Sequence, residues 1–157
     1  MTNPYLFLDV DGVLNPDFQS PEWPDMQEYT ATIYQDKWKT LFAQSMLDRI
    51  AALPVDVYWL TTWEHYAPQE IGAILDIPAW PVLNYPRKFS DYRWKVRHVH
   101  TKLAADPRPA VWIDDEFASQ GNLQYYKLPA LCIKPDFDVG LTLEHFKTIE
   151  TWLENNA

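Results

Sequence analysis

The feature that most constrains the fold is an apolar run that ends in paired acidic residues. Residues 5–12 read YLFLDVDG, so Asp9 and Asp11 stand where the run ends. An uninterrupted apolar run is typical of a strand that is buried on both faces of a parallel sheet. The carboxylates add nothing to packing there, and Gly12 can adopt dihedrals that other residues avoid. The run therefore predicts a first strand that brings acidic side chains to one edge of a sheet.

Further short apolar runs alternate with segments of helical periodicity. The other strand candidates are 55–61, 81–83, 110–113 and 130–133. The clearest helical pattern, which Pro54 would end, consists of apolar residues three or four apart: Trp38, Leu41, Phe42, Met46, Ile50 and Leu53. Weaker helices are predicted over 67–75, 90–105 and 117–126, and a final helix after Thr142. The alternation predicts an α/β fold, a three-layer α/β/α Rossmann-like sandwich around a mainly parallel five-stranded sheet.

Length and composition favour one domain over residues 1–157. Of these residues, 47% are hydrophobic and 22% are charged, as is ordinary for a globular protein. Residues 15–36 interrupt the alternation with prolines and acidic residues, and YTATIY within them is typical of a short hairpin. We therefore expect a small insertion there that overhangs the end of the first strand.

The expected location is the cytoplasm. No apolar run approaches the roughly 20 residues that are needed to span a bilayer. The first residues, MTNP, lack the basic and apolar regions of a signal peptide. No membrane partner is therefore expected.

A second acidic group follows another predicted strand, where residues 113–116 read IDDE. Parallel strands bring their carboxyl ends to a shared edge, so Asp9, Asp11, Asp114 and Asp115 should converge. Carboxylates this close repel one another unless a cation lies between them. Oxygen ligands on a rigid scaffold suit Mg²⁺, which leaves room for a substrate phosphate. The sequence lacks a His or Cys cluster for zinc, and its spacing does not match an EF-hand calcium loop.

Hydroxyl and ammonium groups are candidates for the same edge. The strand at 55–61 ends in Thr61, and Thr62 follows; hydroxyl and backbone N–H groups there would suit phosphate oxygens. Lys95 would offset the carboxylate charge, with Lys88 and Lys102 as alternatives.

Residues 87–102 hold six of the 13 Lys and Arg residues and one acid, Asp91. This basic segment is either a solvated helix face or a positive rim for an anionic substrate. The net charge of −9 opposes general attraction to nucleic acid. Trp23 and Trp63 are the candidates for stacking on a base.

In order, the motifs FLDVDGVLN, YWLTTW, a Lys and VWIDDE resemble the four motifs of haloacid dehalogenase-like (HAD) hydrolases. With WLTTWE, RPAVWIDDE and a closing GLT followed by WL, the chain is most similar to the HAD domain of Swiss-army-knife RNA repair proteins. The resemblance implies that Asp9 is a nucleophile that forms an aspartyl phosphate and that Asp11 is the general acid and base. It also implies phosphate binding by Thr61, or by Thr62, and charge stabilisation by Lys95. The implied Mg²⁺ ligands are Asp9, the backbone carbonyl of Asp11, Asp114 and Asp115.

The activity implied by this resemblance is that of a Mg²⁺-dependent phosphohydrolase acting on phosphomonoesters. Asp11 favours phosphoesters, because dehalogenases of the family lack an acid at that position. Larger members of the family carry a cap domain after the first or second motif, but neither gap is long enough for one here, so residues 15–36 could supply only a small flap. An open site of this kind admits a bulky phosphorylated substrate such as a nucleic-acid end. The alternatives are a phosphatase of small metabolites or nucleotides, and a non-catalytic phosphate-binding module of the same fold.

Overall fold

The computed structural model describes residues 2–83, 91–123 and 127–156. The strands are β1 (Tyr5–Leu8), β2 (Gln27–Ile33), β3 (Asp36–Phe42), β4 (Asp56–Trp59), β5 (Ala110–Ile113) and β6 (Ala130–Ile133). The helices are α1 (Gln44–Ala51), α2 (Gly72–Ile74), α3 (Trp94–Ala105), α4 (Gln120–Leu123) and α5 (Leu143–Asn156). A π-helical turn, Ala67–Ile71, leads directly into α2.

The central sheet is parallel, with the strand order β4-β1-β5-β6. All four residues of β1 are buried, because this strand lies between β4 and β5 and both of its faces are covered. The strand expected at 81–83 is reduced to one bridge between Val82 and Trp59, so the described sheet has four strands instead of five. Pro81, which has no N–H group, limits pairing at this edge. The mainly parallel α/β architecture is confirmed.

Two layers of helices cover the sheet. Leu6 and Leu8 point into one apolar cluster with residues of α1 and α5. Tyr5 and Phe7 point into a second cluster with residues of α3 and α4. This alternation along β1 is what a strand between two helical layers requires. The three-layer sandwich is confirmed, and none of the helices described is long and apolar enough to cross a membrane. The single domain and the cytoplasmic location stay predictions.

A two-stranded antiparallel hairpin, β2–β3, lies in the chain between β1 and α1. The insertion expected at 15–36 therefore extends to Phe42, and the helix predicted through Trp38 begins only at Gln44. Residues four positions apart, such as 38 and 42, lie on the same face of a helix and also on the same face of a strand. Their spacing therefore fits a strand equally well. Phe42 is buried, whereas Trp38 is 55% exposed, which corrects its assignment to a buried helix face.

The turn of the β2–β3 hairpin has two residues, Tyr34 and Gln35, with φ angles of 49° and 71°. Left-handed dihedrals at both positions are usually supplied by Asn and Gly, because other side chains are strained there. The surrounding protein holds this turn: the Tyr34 ring packs edge-on against Tyr66, and the Thr32 N–H donates to Glu70. The tip is therefore fixed by contacts with the segment that leads into α2.

Candidate active site

The ends of two neighbouring strands place Asp9 beside Asp114. The Asp9 N–H donates to the Ile113 carbonyl at 3.1 Å, and the Asp114 N–H donates to the Ile133 carbonyl at 3.2 Å. Each aspartate thus extends its strand's ladder by one residue. Both side chains are buried, so the two carboxylates converge in a region with little access to water.

Lys95, in the first turn of α3, lies between these carboxylates. Its Nζ is 2.6 Å from Asp114 Oδ2 and 3.1 Å from Asp9 Oδ2. Burial alone lowers the pKa of Lys95, but attraction to the two carboxylates outweighs burial and raises the pKa above its usual value. Burial raises the pKa of Asp9 to about 8. Attraction to Lys95 opposes this rise, and repulsion from Asp114 adds to it. One ammonium is therefore too little positive charge to keep Asp9 fully ionised at neutral pH.

A third carboxylate, Asp115, completes an acidic group at this edge. Carboxylate oxygens of Asp9, Asp114 and Asp115 lie within 4.8 Å of one another. Burial, together with the neighbouring Asp114 charge, raises the pKa of Asp115. Oxygens that share one Mg²⁺ lie about 3 to 4 Å apart, because each bond is about 2.1 Å long. The oxygen-only group therefore fits Mg²⁺ after a small contraction.

The loop after β1 approaches this acidic group closely. Gly12 has a φ of 73°, and a Cβ on it would lie 2.8 Å from Asp115 Cγ and 2.6 Å from the Phe137 ring. The Val10 carbonyl, two residues before Gly12, accepts three backbone N–H groups of the loop. Only glycine can adopt this φ angle without strain and also avoid a clash with Asp115 and Phe137.

The Asp11 carboxylate has partners of its own outside the acidic group. Its Oδ1 accepts a hydrogen bond from Asn15 Nδ2 at 2.9 Å, and its Oδ2 accepts one from Trp63 Nε1 at 3.0 Å. Asn15 Oδ1 in turn accepts the Leu41 N–H of β3 at 2.7 Å. The Asp11 side chain is therefore oriented by two donors and linked to the β2–β3 hairpin, and it is not among the three carboxylates that could share an ion.

The two threonines after β4 differ in exposure. Thr61 is fully buried, and its Oγ1 accepts the Trp63 N–H at 3.2 Å. Thr62 is exposed and lines a pocket that also contains Asp11. The loop after β4 thus presents both hydroxyls near the end of β1, one packed into the turn and one open to solvent.

The alternative lysines do not share the position of Lys95. Lys88 lies outside the described residues. Lys102 is two turns further along α3, where its Nζ lies 4.6 Å from the centre of the Tyr58 ring and 5.1 Å from that of Tyr5. Tyr5 is the first residue of β1, so Lys102 lies towards the amino ends of the strands, whereas Asp9 and Asp114 follow their carboxyl ends.

The described cations of the basic segment have different partners. Arg97 pairs with Asp91 at 2.5 Å, and Arg93 donates to Asn122. Lys95 is enclosed by carboxylates, and Lys102 contacts tyrosine rings. These side chains therefore do not form one positive rim.

Both tryptophans expected to stack on a base are buried, each 3% exposed. Trp23 Nε1 donates to the Leu141 carbonyl, and Trp63 Nε1 donates to Asp11. The stacking prediction is wrong for both residues. Sequence reasoning missed that Trp63 and Asn15 hold Asp11; the position of Asn15 just after DGVL was the only local signal for its role.

Comparison with known proteins identifies a family. The family model described as the HAD domain in Swiss Army Knife RNA repair proteins matches residues 5–146. This range covers most of the chain and contains every candidate site residue described above. No curated protein and no solved structure matches the chain.

Proposed function

The chain belongs to the family of HAD domains in Swiss Army Knife RNA repair proteins, and on that premise we propose that it is a Mg²⁺-dependent phosphomonoesterase. The family points to hydrolase activity, in general that of a phosphatase, and implies a phosphorylated substrate. The observation that carries the finer proposal is the buried contact of Lys95 with Asp9 and Asp114, beside the third carboxylate, Asp115. A buried nucleophile next to a fixed cation suits attack on an anionic phosphate.

In the first half-reaction, a carboxylate oxygen of Asp9 attacks the phosphorus atom. The bond from phosphorus to the leaving oxygen breaks as protonated Asp11 transfers its proton to that oxygen, which departs as an alcohol. Asp9 then carries the phosphoryl group as an aspartyl phosphate. The hydrogen bonds from Asn15 and Trp63 hold the Asp11 carboxyl in place for this transfer.

In the second half-reaction, the Asp11 carboxylate takes a proton from water as the water oxygen attacks phosphorus. The bond between phosphorus and Asp9 breaks, which releases inorganic phosphate and restores the Asp9 carboxylate. Asp11 is protonated again, so the cycle closes without another reactant. Asp11 serves as acid and base in turn.

Three other groups would support the reaction by binding and charge. Lys95 offsets negative charge on Asp9 and on the phosphoryl oxygens, because its ammonium contacts the carboxylate that would attack phosphorus. Thr61 or Thr62 binds a phosphoryl oxygen. When held by Asp9, Asp114, Asp115 and the Asp11 carbonyl, Mg²⁺ would supply positive charge to the transferring group.

Mg²⁺ is expected to raise the melting temperature of the wild-type protein by on the order of 5–10 °C. At about 100 times its dissociation constant a ligand adds roughly 2.7 kcal/mol, and each kcal/mol shifts a domain of this size by about 2–4 °C. The Asp114→Asn and Asp115→Asn variants should lose most of the shift. Glu154→Gln, which removes an exposed carboxylate from α5, should keep it. An equal shift in all four proteins, measured by differential scanning calorimetry, would show that Mg²⁺ binds elsewhere.

Trp63→Phe is expected to lower kcat/KM for an alkyl phosphate by about tenfold or more. Asp11 gains negative charge as it gives up its proton in the first half-reaction, and a hydrogen bond to a charged group contributes roughly 1.5–3 kcal/mol. The phenyl ring keeps most of the packing but has no N–H for Asp11. With 4-nitrophenyl phosphate, whose leaving oxygen needs no proton, the loss should be much smaller. Trp23→Phe is the matched control, because it removes a buried indole hydrogen bond to Leu141 instead. Equal losses with both substrates would rule out a positioning role for Trp63.

A further inference from the structure

A pocket of about 330 Å³ lies between the β2–β3 hairpin and the loops that follow β1 and β4. The residues of β3 that line it are Asp36, Trp38, Lys39 and Thr40. Asp11 and Trp63 line the opposite side. The pocket therefore adjoins the candidate active site on the side of Asp11, and its volume is at the lower end of the range for small-molecule sites.

The position of Asp11 indicates which part of a substrate would enter the pocket. The inference rests on the proposed function, in which Asp11 protonates the leaving oxygen. Asp9, Lys95 and Asp114 form the buried side of the site, where the phosphoryl group would be bound. The group attached to the leaving oxygen must then extend past Asp11, into the space that the hairpin borders.

The walls of the pocket indicate the chemistry of that group. Trp38 is 55% exposed and Tyr34 is 53% exposed, and both line the pocket with Ile33 and the buried ring of Trp63. Single exposed aromatic side chains are ordinary, but several apolar side chains that together line a concave surface are typical of a ligand-binding groove. The side chains of Lys39 and Asp36 add one cation and one anion among these apolar walls. Such walls suit a planar ring that stacks on an aromatic face and carries polar edges.

The hairpin is held as a fixed wall. Asn15 joins it to Asp11, Glu70 accepts the Thr32 N–H, and Tyr34 packs against Tyr66. The left-handed turn residues are costly to maintain, and such strain is often found where a site needs a fixed geometry. The contacts would keep the exposed aromatic side chains at a set distance from Asp11.

We propose that the hairpin pocket is the leaving-group subsite and that it binds a planar aromatic group, with Trp38 as the stacking platform. A nucleobase attached through its sugar to the leaving oxygen is the group with this chemistry. It could come from a mononucleotide or from the terminal nucleotide of a nucleic acid. Trp38 thereby determines specificity without taking part in bond breaking.

The test compares two substrates with the same type of leaving oxygen, adenosine 5′-monophosphate and ribose 5-phosphate. The wild-type kcat/KM should favour the nucleotide by roughly tenfold or more, as expected for one stacked base. Trp38→Ala should remove most of this preference, and Trp38→Phe should restore part of it. Phe18→Ala removes an aromatic side chain that is more exposed than Trp38 but does not line the pocket, so it should keep the preference.

Calorimetric titration with adenosine, without Mg²⁺ or phosphate, tests the subsite independently of turnover. Binding to wild type that Trp38→Ala weakens by roughly tenfold supports the subsite, even if no substrate is hydrolysed and the proposed function fails. Hydrolysis of both substrates at equal kcat/KM, with no adenosine binding, would overturn the subsite and leave the phosphatase intact. A 5′-phosphorylated oligonucleotide distinguishes the two sources: a higher kcat/KM than for the mononucleotide indicates nucleic-acid ends, and an equal or lower one indicates mononucleotides.

Discussion

Asp9→Asn is expected to reduce Mg²⁺-dependent phosphate release by roughly 10⁴-fold or more, the scale seen when a covalent nucleophile is removed. The amide has nearly the same shape as the carboxylate, but it cannot form an aspartyl phosphate. Asp114 is not expected to substitute for it, because Asp114 is fully buried and both of its oxygens are held: Oδ1 accepts the N–H groups of Glu116 and Phe117, and Oδ2 lies 2.6 Å from Lys95 Nζ. The measurement is phosphate release from 4-nitrophenyl phosphate and from an alkyl phosphate, with and without Mg²⁺.

The stability of the same variant provides the control. In the folded protein the pKa of Asp9 is raised from 3.8 to about 8, so without metal its contribution to stability falls as the pH rises from about 4 to about 8. Asp9→Asn should flatten this part of the pH profile and should not unfold the protein. Urea unfolding in the presence of a chelator at pH 5 and pH 8 measures the effect. A folded Asp9→Asn protein with wild-type turnover would refute Asp9 as nucleophile.

Asp11→Asn is expected to lower kcat/KM for an alkyl phosphate by about 10²- to 10⁴-fold, the usual contribution of a general acid. The loss should be smaller for 4-nitrophenyl phosphate, because kcat/KM reports the first half-reaction and that leaving group departs without a proton. The second half-reaction still lacks its base, so phosphorylated enzyme should accumulate in this variant. Steady-state kinetics with both substrates and intact-protein mass spectrometry measure the two effects.

Asp17→Asn is the matched control for this variant. Asp17 is an exposed aspartate of the same connection after β1, and it is not one of the three carboxylates of the acidic group. Its replacement should leave both kinetic constants near wild type. If Asp11→Asn lost the same factor with both substrates and accumulated no phosphorylated enzyme, Asp11 would have a structural role instead of a catalytic one.

The sheet and its acidic edge could be predicted because their signals are local. Each buried parallel strand is a short apolar run, and the residue after it must lie at the carboxyl edge. Asp9 and Asp114 needed only this rule, and the structure places them side by side. The extent of the fifth predicted strand, 81–83, could not be predicted in the same way. It depends on how many of these residues pair with β4 at the edge of the sheet.

The hairpin and the hydrogen bonds around Asp11 could not be predicted from spacing. Trp38 and Phe42 fit a helix and a strand equally well, and only pairing with β2 decides between the two. Trp63 looked available for stacking, whereas its indole is packed against Phe42 and bonded to Asp11. Lys95 could be separated from Lys102 only once the direction of α3 across the sheet was known.

Isolation of the phosphorylated residue tests the central claim most directly. Asp11→Asn protein, incubated with substrate and Mg²⁺ and then quenched and treated with borohydride, should contain homoserine at position 9, because borohydride reduces an aspartyl phosphate to the alcohol. Peptide mass spectrometry locates the change, and protein that also carries Asp9→Asn should show none. Homoserine at position 9 is the expected result. Label on another residue, or unmodified Asp9 under conditions in which the wild type turns over, would contradict the assignment of Asp9 as the nucleophile.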